Sequence, residues 1–335
     1  MTITISRADA ILSAARTIAA KLLLAIPIDR AALSEAMAEA CGGSDADGFW
    51  QQRDSFEALE AAVVLAVPEL IRGCDAGAAI RALEALSREL PTHTVRSESQ
   101  IAFQQFSTPP ALAMLAVHLA QLSPDDVLLE PSAGTGILAM LSQPHVDRLL
   151  LNELEPTRAE LLEGLFPGVT VTRHDGAKLT ALLDGAQRPS VILMNPPFSV
   201  SQSRGEDPNT AARHLRSALD FLRPGGRIVA IMPDWFAPTA RGGEAFRHAL
   251  QGARVALSLR LDKGGYAKHG TGIAVRMLVI DKLAGDGAVS TINRQSAGEL
   301  LAAISSVPPR MPLREAQQSA VPRATKLGFF RSVKS

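Results

Sequence analysis

The chain has 335 residues, 47% of them hydrophobic, which allows two domains or one large one; general disorder is excluded, and no apolar run approaches the ~18 residues of a membrane span. Lys+Arg and Asp+Glu balance at 34 each, but residues 1–100 hold nine basic and 14 acidic side chains, so the excess of basic charge, 25 against 20, lies in residues 101–335 and any polyanion should meet that part. The two cysteines, Cys41 and Cys74, exclude a disulfide framework and a zinc site and fit a reducing cytoplasm.

In chain order, residues 8–26, 56–71 and 76–90 are Ala/Leu-rich with helical spacing, and a Gly/Asp-rich break (Cys41–Gly48) separates the first two. Asp9, Arg16 and Lys21 interrupt the first run, which speaks against a signal peptide. Residues 1–100 read as a helical region whose apolar faces are ordinary core. From residue 101 short apolar strands alternate with helices. Strands are expected at 126–130, 148–152, 169–172, 190–194, 227–232, 254–261 and 273–280, and helices near 111–121, 135–142, 156–165 and 210–222. The alternation implies an α/β fold with a parallel sheet. The last two strands are joined by a Gly-rich loop too short for a helix, which predicts an antiparallel hairpin at the edge. Residues 283–335 lack periodicity and read as an irregular basic tail.

Chemistry-bearing residues gather at strand ends. Phe106-Ser107-Thr108-Pro109-Pro110 reads, taken alone, as a helix start. Glu130-Pro131-Ser132-Ala133-Gly134-Thr135-Gly136 follows the first strand, where glycines let the backbone turn tightly and approach a ligand. The turn lacks the Gly-Lys-Ser/Thr ending of a phosphate loop, so the expected ligand is a nucleoside whose charge is not mainly phosphate. Glu153, at the tip of the second strand about 20 positions on, suits both ribose hydroxyls, whereas Glu155 suits a solvent-facing helix start. Asp175, after the third strand, can accept from an exocyclic amine, although Asp-Gly is also a plain turn signal. Asn195-Pro196-Pro197-Phe198 follows the strand SVILM. Two prolines fix the backbone and leave carbonyls as acceptors, Asn195 adds a side-chain carbonyl, and Phe198 offers a flat face for a base.

Together these motifs resemble the S-adenosylmethionine-dependent amino-methyltransferases, above all the DNA adenine-N6 group with gamma-type motif order. The resemblance covers residues 101–282. It implies a Rossmann-like seven-stranded methyltransferase sheet with an antiparallel edge hairpin and S-adenosyl-L-methionine as cofactor. It places cofactor contacts at Thr108, Glu130, Pro131, Ala133, Gly134, Gly136, Glu153, Asp175 and Asn195, and catalysis at Asn195, Pro196, Pro197 and Phe198. The sulfonium is already an activated electrophile, so no metal is called for. Trp50–Glu60, Pro189–Phe198 and Tyr266–Thr271 also look like the amino-terminal methylase module of bacterial strawberry-notch-like helicase proteins. These 335 residues contain no helicase motor and leave no room for a separate target recognition domain, so a helicase is expected as a partner.

The implied partner is DNA, with RNA the second candidate. Residues 204–276 carry twelve Arg/Lys against six Asp/Glu, among them Arg204, Arg213, Arg216, Lys263 and Lys268, and are expected to border the acceptor pocket. Residues 309–335 add six basic side chains against Glu315. Two competing readings remain: an amine acceptor in ribosomal RNA guanine or protein glutamine, and a low-turnover cofactor-binding module serving a helicase.

Overall fold

The computed structural model describes residues 5–92, 107–183, 188–198, 200–201, 206–207, 209–261, 274–282, 291–293 and 307–310. Four helices come first: α1 (Arg7–Leu23), α2 (Arg30–Cys41), α3 (Gln52–Leu70) and α4 (Ala76–Glu89). Each start has a local cause. Ser6, Asp29 and Asp75 accept backbone N–H bonds at the N-termini of α1, α2 and α4, and Gln51 and Asp54 form a reciprocal capping box on α3. Helix α2 is additional to the helices read from the sequence. Its run is weakly apolar, but Asp29 before it and Gly42 (φ +72°) after it are proper start and stop signals. Helices α1 and α3 pack against each other, and both bury alanines, including Ala14, Ala15, Ala58, Ala61 and Ala62, whose small side chains allow close packing.

The sheet follows. Helix α5 (Pro110–Ala120) leads into β1 (Val127–Glu130), α6 (Ile137–Ser142), β2 (Arg148–Asn152), α7 (Pro156–Leu165), β3 (Thr170–Thr172), the short α8 (Leu179–Leu182) and β4 (Val191–Met194). A small antiparallel pair, β5 (Val200–Ser201) and β6 (Glu206–Asp207), precedes α9 (Thr210–Phe221), β7 (Arg227–Pro233), α10 (Gly243–Ala249), β8 (Arg254–Leu261), β9 (Val275–Asp281) and β10 (Thr291–Asn293). The main sheet runs β10-β8-β9-β7-β4-β1-β2-β3. Strands β3, β2, β1, β4 and β7 are parallel, and β9 is antiparallel to both β7 and β8. Those seven strands form the sheet expected from the sequence, with its antiparallel edge pair. Strands β4 and β7 are buried along their whole length, which is why they read as unbroken apolar runs. Between β1 and β4 the strand order reverses, opening a crevice at the carboxyl ends of the strands where such sheets bind ligands.

Part of the expected tail is ordered against the sheet. Residues 291–293 pair in parallel with β8, and Val307 is buried in the core. Arg310 grips Asp126 with bonds of 2.6 and 2.8 Å. Among the described residues no helix is long and apolar enough to cross a membrane.

Candidate cofactor and acceptor site

Glu130, at the end of β1, is 2% exposed, and its Oε2 accepts the Ala139 N–H at 2.9 Å in the first turn of α6. Burial holds its carboxyl well above the ordinary range; the Ala139 N–H lowers it and the neighbouring Glu153 raises it further. Two glycines of the turn have different tasks. Both lie in the left-handed region, Gly134 at φ +56° and Gly136 at φ +87°. A Cβ at Gly136 would come within 2.6 Å of the Phe166 ring and 2.9 Å of Leu162, whereas one at Gly134 would meet nothing within 4 Å. Gly136 is a packing requirement, and Gly134 borders open space suited to a ligand.

Glu153 closes this side of the crevice. It is 5% exposed; its Oε2 accepts the Gly134 N–H at 2.8 Å and its Oε1 the Glu155 N–H at 2.9 Å. Each oxygen keeps a further lone pair for a diol. Burial pushes its carboxyl upward, opposed by the Arg158 charge and the two N–H donors. Glu155 instead accepts the Arg158 N–H at 2.7 Å and caps α7, the helix-start role expected of it. Asp175 accepts the Ala177 N–H at 2.9 Å in the turn its Asp-Gly step predicts. The open space at Gly134 and the carboxylate beside it fit an adenosine ribose. Glu153→Ala is therefore expected to weaken binding of an adenosine-type cofactor by roughly 1.5–3 kcal/mol. Because the charged form accepts both hydroxyl protons, wild-type affinity should be complete above the raised pKa of Glu153 and decline as pH falls through it. Titration calorimetry across pH checks both; pH-independent affinity that survives the mutation would leave Glu153 only its two backbone bonds.

On the acceptor side the Asn195 Nδ2 donates to Thr108 Oγ1 at 3.0 Å, joining two motifs 87 positions apart. Pro196 is buried and Pro197 half-buried. Phe198 is 5% exposed and packs within the core, so its ring is a buried wall here, not the open platform expected from the sequence. Phe106 and Tyr266–Thr271 lie outside the described residues.

Several residues of the site had no assigned role in the sequence. Asn152, 1% exposed, donates from Nδ2 to the Pro131 and His174 carbonyls, both at 2.9 Å, while its Oδ1 accepts from Thr172 Oγ1 and the His174 N–H. It ties the ends of β1, β2 and β3 together; the signal was an amide beside Glu153 at a strand tip. His214 of α9 underlies Gly176, where a Cβ would fall 2.9 Å from its Nδ1 and 3.1 Å from the Pro131 carbonyl oxygen. Burial lowers its pKa to about 4 despite the Asp175 charge, so it is neutral at pH 7. Glu60 of α3 lies 3.4 Å from Thr135 Oγ1, and Leu59, Glu60, Val63, Thr108, Thr135 and Ile137 border a cavity of about 40 Å³ between α3, the glycine turn and the start of α5.

The basic stretch needs correction. Arg227 is fully buried against Asp281, Arg254 also bonds Asp281, Arg260 and Arg276 share Asp234, and Arg216 pairs with Asp220. Five of the twelve are thus paired within the fold, by three aspartates that stand at strand ends and on a helix face. Arg204, Lys263 and Lys268 lie outside the described residues. Arg213 and Arg241 remain on the surface and help line a groove of about 960 Å³ between α9 and α10, with Arg241 over the Trp235 ring at 5.3 Å.

No family model matches the chain. A curated relative, ribosomal RNA small subunit methyltransferase A of Thermobifida fusca (strain YX), is 31% identical over 106 residues, which is 29% of this chain and 36% of that protein. Among solved structures, the type I restriction-modification methyltransferase subunit from Streptococcus thermophilus is 13% identical with a TM-score of 0.49, covering 90% of this chain and 87% of its own. TrmN from Thermus thermophilus is 23% identical with a TM-score of 0.42, covering 54% and 51%. The chain thus spans about a third of the curated relative, a methyltransferase by name, and its own sheet order and glycine turn stand on the geometry above.

Proposed function

We propose that this chain transfers a methyl group from S-adenosyl-L-methionine to the exocyclic N6 amine of adenine in DNA. The observation that carries the reading is the Asn195–Thr108 bond, which sets the Asn-Pro-Pro-Phe segment at the end of β4, across the strand reversal from the glycine turn. When bound, S-adenosylmethionine supplies a methyl group on a sulfonium sulfur that leaves as a neutral thioether. Glu153 holds the ribose, the Gly134 turn admits the cofactor backbone, and Asp175 receives the adenine amine. Thr108 holds the nitrogen end of the Asn195 amide, and the accepting role in this reading falls to the side-chain oxygen. That oxygen and the Pro196 carbonyl accept the two protons of the acceptor amine, aim its lone pair at the methyl carbon, and stabilise the positive charge that develops on nitrogen. The surplus proton then passes to water.

One observation favours a second acceptor: the 106-residue likeness is to a methyltransferase of ribosomal RNA. Transfer of radiolabelled methyl from the cofactor to DNA, RNA and protein separates the readings. Label in DNA, at N6 after digestion, is the expected result; label confined to RNA or protein would overturn it.

Nucleic acid should lie along the groove between α9 and α10, where Arg213 and Arg241 supply positive charge, Arg241 being held over the Trp235 ring. With two arginines lining the groove among the described residues, binding there is expected to be weak and phosphate-directed. It should fall about 40-fold between about 50 and about 200 mM salt if three phosphates are neutralised. Unpaired strands should bind better than duplex, which suits a helicase partner that exposes them. Fluorescence anisotropy tests this; tight, salt-insensitive binding to one duplex sequence would place recognition elsewhere.

A further inference from the structure

The segment Trp50–Glu60 ends on the wall of the small cavity between α3, the glycine turn and the start of α5. That wall is shared by the two parts of the chain. Glu60 of α3 and Ser87 of α4 stand on one side, Thr135 of the glycine turn and Thr108 before α5 on the other. At about 40 Å³ the cavity takes the end of a ligand, against the roughly 300–1,000 Å³ that whole small-molecule ligands occupy.

Its polar chemistry is one-sided. Among the described residues that line it Glu60 carries the one charge, and none is Lys, Arg or His. Thr135 Oγ1 donates to Glu60 Oε2 over a long 3.4 Å, and Ser87 Oγ donates to the Leu83 carbonyl at 2.8 Å, so both hydroxyl oxygens keep lone pairs for a donor. Leu59, Val63 and Ile137 supply apolar wall, which strengthens a charge contact made beside it. A carboxylate flanked by hydroxyl oxygens recognises a compact cation with several N–H donors, which is an ammonium group.

We infer that Glu60 of the N-terminal layer binds the α-ammonium at the methionine end of S-adenosylmethionine, with Thr135 beside it. The inference rests on the proposed cofactor. Thr135 follows Gly134, whose N–H bonds the Glu153 assigned to the ribose, and Thr108 bonds the Asn195 assigned to the acceptor amine. The cavity therefore borders both the cofactor segment and the acceptor segment. In the cofactor one sulfur carries both the methyl and the amino-acid chain, and three carbons separate that sulfur from the ammonium nitrogen. A methyl directed to the Asn195 side keeps the ammonium within a short reach of the junction between Thr135 and Thr108. The N-terminal helices are then a working part of the cofactor site.

The test is calorimetric titration at about pH 6.5, below the ordinary α-amine range of about 7.7–8.0, with two probes: S-adenosylhomocysteine and its analogue lacking the α-amine. The wild type should bind S-adenosylhomocysteine at least tenfold more tightly than the analogue. Glu60→Gln, nearly isosteric, should weaken S-adenosylhomocysteine about tenfold and leave the analogue within about twofold, so that the preference for the amine disappears. Unchanged affinity for S-adenosylhomocysteine, or an equal loss for both probes, overturns the inference. Should Glu60→Gln fail to fold, Glu60→Asp decides: its retracted carboxylate should weaken only the probe that carries the amine, and equal effects on the two count against Glu60. A wild type that binds both probes equally overturns this inference alone; one that binds neither overturns the proposed cofactor and this inference with it.

Discussion

Asn195→Ala is expected to abolish detectable methyl transfer, a loss on the order of 10²–10³-fold, while S-adenosylmethionine affinity stays within about twofold. The two effects separate because of where the residue sits. Its amide is bonded to Thr108, whereas Glu153, the carboxylate proposed to hold the ribose, is bonded to Gly134 and Glu155. Truncation removes the oxygen proposed to take one amine proton and leaves the Gly134–Glu153 contact in place. Single-turnover transfer with labelled cofactor, alongside calorimetry, measures both quantities. Wild-type turnover on every accepted substrate would remove Asn195 from the chemistry.

Arg227→Met is expected to cost about 3–5 kcal/mol of stability, because it strands Asp281 in the core. Arg227 is fully buried; its Nε lies 2.8 Å from Asp281 Oδ1, and its Nη atoms also reach the carbonyls of Leu119 and Pro308 at 3.3 and 3.0 Å. This cluster lies at the amino end of β7, away from the crevice, so cofactor affinity of the folded variant should be unchanged. Urea denaturation reads the loss. A change under about 1 kcal/mol would mean that Arg254, 2.8 Å from the same aspartate, satisfies Asp281 alone.

The strands were legible because each is an apolar run closed by turn residues, and the site because its motifs sit at the tips of β1, β2 and β4. The pairing of Thr108 with Asn195 was not, since nothing in a linear reading brings together residues 87 apart. Charge misled for a related reason. Arg227, Arg260 and Arg276 read as surface cations until strand pairing brings aspartates beside them, with Asp281 and Asp234 at or just past strand ends. Arg158 of α7 and Glu57 of α3, both buried, are likewise brought together only by the fold, with Arg158 Nε 3.0 Å from each Glu57 oxygen. The change in composition near residue 100 is real, yet buried side chains on both sides of it form one continuous core.

The Glu57–Arg158 contact also bears on how the chain folds. Helices α1 to α3 are local structures that can form early, but Glu57 must wait for a partner 101 residues later in the chain. Until α7 emerges and docks, an acidic group destined for the interior faces water, and its burial is not yet compensated. The N-terminal layer should therefore reach its final packing late, in the same step that docks α7 after the tip of β2. In refolding experiments, protection of the α3 amides and recovery of cofactor binding should then rise together.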